Sequence, residues 1–266
     1  MAWRNTRNPY RILVSEIMLQ QTQVERVREK YAAFIRAFPN VRTLANASLG
    51  DVLRLWSGLG YNRRAKYLHE CAKEVSTQYG GKFPTDIPTL MTLPGIGIST
   101  SAALVAFAHG ADEPMIDTNI RRVLSRVFFP LNMSRLSLDM SPRSDRELFQ
   151  FAKSLIPKGM GREWNYAMLD IAATQCTARN HRDECPLQDL HGKVGDFVYK
   201  KPQKKFAQSD RYYRGRVLAH LAKKKMNIRQ LESVLDLKTK DLRVLLRKLQ
   251  AEGLVEVRGQ NLQLPS

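Results

Sequence analysis

The chain has 266 residues, of which 43% are hydrophobic and 26% charged, a composition that supports a folded core and argues against wholesale disorder. No run reaches the roughly 18 to 20 apolar residues of a spanning helix, and the opening segment lacks a secretion signal, so an intracellular protein is expected. Three scattered cysteines argue against a disulfide framework. The formal net charge of +18 favours a polyanionic partner, most often nucleic acid, over a merely soluble basic surface.

Helical spacing of apolar residues dominates the first two hundred positions. The pattern runs from Pro9 to about Ala45, with Pro39 ending one run, and it recurs over 48–56, 62–79, 99–109, 117–128, 144–156 and 162–174. No alternation typical of a strand occurs before residue 250. Residues 1–190 are therefore predicted to form an all-α domain.

A basic linker, 191–210, separates this domain from a smaller unit, 211–266. Helical spacing returns over 211–224, 227–235 and 238–252, and Gly253 follows where a helix C-cap would lie. The next residues alternate around a Gly-Gln-Asn turn, which predicts a two-stranded hairpin. Three helices and a hairpin are the plan of a winged-helix domain, a fold that binds DNA in many proteins and docks proteins in others.

The strongest short motif is LPGIGIST at residues 93–100, followed by an apolar helix. Gly95 and Gly97 lie in a short turn that lets the backbone approach a ligand closely, and the free amides at the helix start favour an anion. A DNA phosphate is the natural anion for so basic a chain. A tight turn between two helices, without any ligand, would carry the same glycines.

Asp117 lies at the start of a predicted helix in the segment MIDTNIRRVL, where an N-cap is the plain interpretation. Together with the glycine turn some twenty residues earlier, however, this segment resembles the helix-hairpin-helix and Gly/Pro-Asp signature of DNA glycosylases. In that family the aspartate at this position is the catalytic carboxylate. The resemblance implies this role for Asp117, with Asn119 lining the site beside it.

Two more segments resemble MutY-type adenine DNA glycosylases: VSEIMLQQTQV at residues 14–24 and LWSGLGY at residues 55–61. The resemblance covers about residues 3–190 and implies a helix-hairpin-helix DNA glycosylase fold. Glutamines after Met-Leu favour the adenine branch, because the thymine glycosylases of this superfamily that act on G/T mismatches typically carry Arg-Arg-Thr there.

Base excision calls for two acidic groups, because the N-glycosidic bond breaks through a sugar cation. One acid protonates the leaving base while a carboxylate stabilises the cation. The resemblance implies that Glu16 protonates adenine at N7 and that Asp117 faces the sugar. Apolar neighbours are expected to raise the pKa of Glu16, and a buried glutamate paired with an arginine is the alternative. Ser99 replaces the nucleophilic lysine of endonuclease III-type enzymes, so a monofunctional hydrolase is expected.

The resemblance also implies a set of DNA contacts. In MutY relatives the glutamine at the Gln21 position wedges into the stack when a base is flipped, and Tyr61 lies in a loop that probes the opposite side. Asn62 stands where relatives usually have a second tyrosine, which removes an intercalating ring. Arg63, Arg64 and Lys66 are expected to contact phosphates or to form a solvated helix face. The full predicted set is Gln20, Gln21, Thr22, Tyr61, Arg63, Gly95, Gly97 and Ser99.

MutY and endonuclease III relatives usually carry four cysteines, spaced C-x6-C-x2-C-x5-C, that ligate a [4Fe-4S] cluster. Only Cys176 and Cys185 remain here; Asp183 or Glu184 stands near the second place and His191 near the fourth. No cofactor and no metal are predicted, and the loop is expected to be held by packing. A zinc site of mixed Cys, His and Asp ligands is the alternative.

The expected substrate is double-stranded DNA with a mispaired or damaged base, from which adenine opposite G or 8-oxoG is removed. The unit 211–266 does not resemble the Nudix-like domain with which MutY proteins recognise 8-oxoG, so that preference is not implied. Excision of thymine or uracil opposite guanine is one alternative, and a non-catalytic binder of distorted DNA is another. A monomer acting in the cytoplasm at the nucleoid is expected.

Overall fold

The computed structural model describes residues 1–128, 144–177, 186–187 and 209–266, and in these residues the regular secondary structure is mostly helical, with one C-terminal hairpin. Among the described residues, a short 3-10 helix, Ala2–Asn5, is followed by ten α-helices and then by three more. The first ten are α1 Pro9–Leu19, α2 Val24–Ala37, α3 Val41–Ala45, α4 Leu49–Trp56, α5 Arg63–Gln78, α6 Ile87–Leu90, α7 Ile98–His109, α8 Thr118–Phe128, α9 Asp145–Ser154 and α10 Gly161–Thr174. The C-terminal elements are α11 Asp210–Lys223, α12 Ile228–Leu235, α13 Thr239–Ala251, β1 Glu256–Arg258 and β2 Asn261–Gln263. None of the described helices is long and apolar enough to cross a membrane.

The chain packs into two compact units. The first unit comprises Met1–Pro84, Thr92–Gly95 and Gln203–Ser266, and the second comprises Thr85–Met91 and Ile96–Pro202. The sequence-based division into 1–190, 191–210 and 211–266 stays a prediction. Packing divides the chain differently, because the C-terminal helix α11 packs against α4 inside the first unit.

The first unit is built around α5, which packs against α1, α3 and α4. Asn8 caps α1 through a hydrogen bond to Arg11 N, and Pro9 takes the first helical position, where its missing N–H costs nothing. The rings of Phe34 and Trp56 meet edge to face in the buried core, with centroids 6.1 Å apart. Helix α2 ends at Ala37, as the proline at position 39 predicts.

The C-terminal elements of the first unit follow the predicted order. Asn227 and Gln230 form a reciprocal capping box at the start of α12. Strands β1 and β2 pair antiparallel with Val257 opposite Leu262, and Met226 forms one further bridge to Leu262. The predicted hairpin is therefore present, although its strands are only three residues long.

The second unit is organised by α7, which is buried on every side over residues 100–108, as its uninterrupted apolar sequence requires. Helix α8 instead buries one stripe against α10. Asn165 of α10 is fully buried and satisfied, since its Oδ1 accepts from Met115 N at 2.7 Å and its amide donates to Glu113 O and Gly161 O. Helix α6 was not predicted, because four residues are too few to show periodicity.

Candidate active site and nucleic-acid interface

Asp117 caps α8 and is held through both carboxylate oxygens. Its Oδ1 accepts from the backbone N–H of Asn119 and of Ile120, each at 2.8 Å, and its Oδ2 accepts from the side-chain amide of Asn119 at 2.8 Å. The N-cap interpretation is thus correct as geometry. The same contacts fix the orientation of a carboxylate at the positive end of the helix dipole, which is what a charge-stabilising group needs.

Asn119 is itself oriented by a buried arginine. Its Oδ1 accepts from Arg122 Nη1 at 3.1 Å, while Arg122 Nε donates to Cys176 O at 2.7 Å and Nη2 donates to Ala172 O at 3.0 Å. Sequence reasoning identified Asn119 and missed Arg122. The available signal was an arginine on the apolar stripe of α8, next to Val123.

A second buried arginine, Arg126, follows one helical turn later. Its Nη1 lies 3.3 Å from the Sγ of Cys176 and donates to Thr177 O at 2.8 Å. The chain just after the end of α10 is therefore held by two guanidinium groups that project from α8. Cys176 is buried among these contacts, as a small packing residue would be.

The residues present do not fit a four-cysteine iron–sulfur cluster. The chain has only three cysteines, and one of them, Cys71, is buried in α5, where burial raises the pKa of its thiol to about 12. Cys185, Asp183, Glu184 and His191 lie outside the described residues. Within the described ranges, no three metal-binding side chains come together.

Glu16 lies on α1 in the first unit, half-buried between the buried Ser15 and Ile17. It is three residues before the end of α1 at Leu19. The residues that follow, 20–22, are the predicted DNA-contact loop. Glu16 and this loop are therefore consecutive parts of one short stretch of chain.

Two loops of the first unit present exposed side chains from strained backbone positions. Gln21 has φ +55° and Tyr61 has φ +47°, a left-handed conformation that residues other than glycine seldom adopt. Thr22 Oγ1 lies 3.4 Å from Leu59 O and joins the two loops. Such strain persists only where the surroundings enforce it, and it occurs preferentially at functional sites.

Arg64 provides that enforcement. Its guanidinium lies 5.5 Å from the Trp56 ring centroid and 5.4 Å from that of Tyr61, and burial lowers its pKa to about 10, which leaves it a cation at neutral pH. It donates to six acceptors at the end of α1 and in both loops, at 2.5 to 3.3 Å: Ile17 O, Met18 O, Gln20 O, Thr22 Oγ1, Leu59 O and Gly60 O. Both expectations for Arg64, a phosphate contact and a place on a solvated helix face, are corrected by this inward geometry.

The neighbouring cations of α5 turn to the C-terminal elements. Arg63 Nη2 donates to Glu252 Oε1 at 2.7 Å, and Lys66 Nζ donates to Glu252 O at 2.7 Å. Arg214 of α11 also pairs with the Glu252 carboxylate. Burial alone would raise the pKa of Glu252, but hydrogen bonds from Arg63 and Arg214 lower it to about 2. The DNA contact of Arg63 stays a prediction, and Glu252 was missed because its partners are distant in sequence.

The two motif glycines differ in what they require. Gly95, in the first unit, has φ +76°, and a Cβ there would lie 2.6 Å from the Cβ of Tyr67. Gly97, in the second unit, caps α7 in an extended conformation, and a Cβ there would meet nothing within 4 Å. Ser99 lies half-buried in the first turn of α7. Internal packing therefore accounts for the glycine at position 95. It does not account for the glycine at position 97, where open space leaves the backbone accessible to an external ligand.

Comparison with known proteins identifies the family. The HhH-GPD superfamily of base excision DNA repair proteins matches over residues 14–135. The Adenine DNA glycosylase of Mycolicibacterium smegmatis is 39% identical over 224 residues, which cover 82% of this chain and 74% of that protein. The chain belongs to the HhH-GPD superfamily.

Two further similarities, one to a curated protein and one to a solved structure, agree with this assignment. The Thymine-DNA glycosylase of Aeropyrum pernix is 37% identical over 194 residues, covering 71% of this chain and 85% of that protein. A solved structure of a thermostable thymine-DNA glycosylase superposes with a TM-score of 0.64 at 29% identity, covering 72% of this chain and 87% of that one. The predicted helix-hairpin-helix fold is confirmed, whereas the roles assigned to individual site residues stay predictions.

Proposed function

We propose that the protein is a DNA N-glycosylase of base excision repair that removes mispaired adenine from duplex DNA. The observation that carries the proposal is Asp117: an HhH-GPD chain keeps a carboxylate at the start of α8 with both oxygens fixed by Asn119 and the helix amides. A helix cap alone needs only one of those oxygens. The hydrogen bond from the Asn119 side chain to the second oxygen fixes the whole carboxylate. Such a contact is expected for a group whose negative charge must stay in one position during the reaction.

The proposed reaction divides the work between two acidic groups. Glu16 delivers a proton to the departing adenine, and the Asp117 carboxylate stabilises the positive charge that develops on the sugar. Water then attacks the sugar carbon and leaves an abasic site. Because residue 99 is a serine and not an amine, the proposed enzyme is monofunctional and forms no covalent bond with the sugar.

Adenine is favoured over pyrimidines by two observations. Gln20 and Gln21 stand where related thymine glycosylases typically carry arginines, and an adenine glycosylase is 39% identical to this chain over 82% of its length. Excision of thymine opposite guanine is the second candidate, supported by 37% identity to a thymine-DNA glycosylase. Pocket shape and hydrogen bonding to the flipped base separate the two.

The proposal includes a working form without an iron–sulfur cluster. The chain supplies two cysteines near the usual ligand positions, and the one that is described, Cys176, is buried against Arg126. We further propose that the enzyme acts as a monomer on the DNA of the nucleoid, in the cytoplasm. Iron and sulfide analysis of active protein tests the cluster-free form, because four equivalents of iron per chain would contradict it.

Single-turnover base release from duplexes with A·G, A·8-oxoG, T·G or U·G tests the function. Adenine release, with strand breakage only after alkali, is the expected result. Thymine or uracil release would assign the second candidate activity instead. No release from any duplex, with mismatch binding retained, would favour a non-catalytic binder.

The variant Asp117→Asn tests the chemistry. We expect base release to fall at least about 1000-fold, since the amide carries no charge, while mismatch affinity stays within about tenfold. Asp86→Asn is the matched control, because Asp86 caps α6 through Thr89 N at 2.9 Å and has no part in the proposed reaction. Equal losses in both variants would show that Asp117 is only a structural cap.

A further inference from the structure

We propose that α13 carries a second contact for duplex DNA, outside the predicted catalytic residues, on the side chains that we call the basic face: Lys240, Arg243, Val244 and Arg247. The inference goes beyond base excision and rests on the proposed function only in taking duplex DNA as the partner. The ligand that the face would take is the phosphate backbone and the floor of one groove of a regular duplex.

The basic face is one continuous stripe. Its residues follow i, i+3, i+4 and i+7 spacing, which places them on the same side of a helix, and all four are exposed. The opposite side of α13 is buried through its leucines: Leu242, Leu245, Leu246 and Leu249. The helix therefore packs its apolar side against the core, and its cationic side is exposed to solvent.

Within the part of the chain that the structure describes, the charges on this face take no part in ion pairs. No carboxylate in the described parts of the chain pairs with Lys240, Arg243 or Arg247, whereas the adjacent Lys248 bonds Asp210 Oδ2 at 2.7 Å. Helix α13 itself holds four cations and one carboxylate, Asp241. Unneutralised cations on a rigid helix are the arrangement that releases counterions when a phosphate backbone binds.

The dimensions and chemistry fit a DNA groove. Lys240 and Arg247 are separated by about 10 Å along the helix axis, and a major groove about 12 Å wide accepts an α-helix. Val244 is 46% exposed between the cations and can contact a thymine methyl, while arginine reads guanine. Protein-docking surfaces instead are poor in lysine and rich in aromatic side chains at their centre.

The face is held in a defined position within the first unit. Glu252 directly follows α13 and accepts from Arg63, Lys66 and Arg214, and Gly50 N donates to Pro265 O at 2.8 Å. Helix α11 also reaches the Tyr61 loop, because Arg211 Nη1 lies 2.9 Å from the Tyr61 hydroxyl. A duplex held at that loop and at α13 would be bound at two rigidly linked points, which raises affinity without a new lesion contact.

The test compares full-length wild type with the triple variant Lys240→Ala, Arg243→Ala, Arg247→Ala, in which alanine preserves the helix. Binding to an A·G duplex of about three helical turns is measured by fluorescence anisotropy over a salt series. We expect at least tenfold weaker binding and a salt slope smaller by about 2 to 3 in log–log units, about 0.9 for each lost phosphate contact. On a duplex of about one turn the difference from wild type should disappear.

The control variant Lys223→Ala, Lys224→Ala, Lys225→Ala removes the same charge from exposed lysines near the end of α11. An equal loss of affinity in the control would overturn the proposal, because it would reduce the face to general positive charge. Unchanged affinity and slope in the α13 variant would also overturn it and would leave the face to a protein partner.

Single-turnover base release at saturating protein distinguishes this inference from the proposed function. The α13 variant should release adenine at the wild-type rate. Wild-type protein that releases no base, together with an α13 variant that binds more weakly, would contradict the glycosylase proposal and support the second DNA contact.

Discussion

Arg64 in the first unit and Arg122 in the second make the same kind of contact with the end of a helix. The two arginines differ in what else they hold in place. Each projects from its own helix and donates to backbone carbonyls at or just beyond the end of another, α1 for Arg64 and α10 for Arg122. Carbonyls at a helix C-terminus lack intrahelical partners and carry partial negative charge, so a guanidinium satisfies both needs.

The difference lies in what each arginine holds beside the helix end. Arg64 is half-buried and also binds two loops, in which Gln21 and Tyr61 are exposed on left-handed backbone. Arg122 is buried and also binds Asn119, which in turn holds Asp117. The first arginine therefore shapes a surface, and the second orients a carboxylate. A strongly basic chain thus uses part of its charge internally, and only the contacts distinguish these cations from DNA ligands.

The largest effect is expected from replacing Arg122. Arg122→Met removes the donor for Asn119, Ala172 O and Cys176 O from a buried site, so the free energy of unfolding should fall by about 4 kcal/mol. Urea denaturation measures the loss, and base release should fall below wild type at temperatures where the variant stays folded. Arg121→Met is the matched control: the guanidinium of Arg121, the residue next to Arg122, pairs with the exposed Asp145, and we expect the free energy of unfolding to fall by less than about 1 kcal/mol.

A somewhat smaller loss of stability is expected from replacing Arg64. Arg64→Met leaves six acceptors without their donor, but water reaches part of this half-buried site, so we expect a loss of about 3 kcal/mol. Freed loops should weaken mismatch binding as well as base release, whereas Arg122→Met should spare binding. Arg54→Met, which removes only an exposed pair with Asp51, serves as control. Mismatch binding at the wild-type level in Arg64→Met would refute the role assigned to the loops.

Glu252 lets pH test the attachment of the C-terminal elements. Its pKa of about 2 lies below the ordinary 4.5, so its stabilisation is complete above pH 4.5 and is lost as pH falls from 4.5 towards 2. We expect wild type to lose about 2 kcal/mol more than Glu252→Gln over this range, in urea denaturation at each pH. Glu256→Gln is the control, since its pair with Arg258 is long and exposed. Parallel pH profiles for wild type and Glu252→Gln would argue against a role of the Glu252 carboxylate in attaching the C-terminal elements.

Variants of Gln21 distinguish the effect of backbone strain from the function of the side chain. Their expected effect on the free energy of unfolding is the smallest. Gln21→Gly should gain about 0.5 kcal/mol, because glycine adopts φ +55° without the strain of a Cβ. Gln21→Ala should gain nothing, since it keeps the Cβ. Both variants should release adenine about tenfold more slowly if the side chain fills the space of a flipped base. Wild-type rates in both would assign Gln21 no part in base flipping.

Much of the helical architecture could be predicted, because amphipathic helices and their caps are local. The runs predicted over 62–79, 99–109 and 117–128 differ from α5, α7 and α8 by a single residue at most ends. Asp117 and Asn119 could also be selected, since a short motif carries them. The predicted roles of Arg64 and the omission of Arg122 show the limit, because a charged residue on a helix gives no sign of whether it faces carbonyls or solvent.

By itself, the sequence determined the helices, the helix-hairpin-helix motif, the strongly basic character and the identity of the acidic groups proposed for catalysis, because each depends on residue type and short-range spacing. Only the tertiary structure decided which cations are internal. Glu252 lies almost 190 positions from Arg63, and Cys176 lies 54 from Arg122, yet these pairs are in hydrogen-bond contact. Partners so far apart are chosen by the packing of whole helices, and burial by that packing strengthens the contact of Arg122 with Cys176 O.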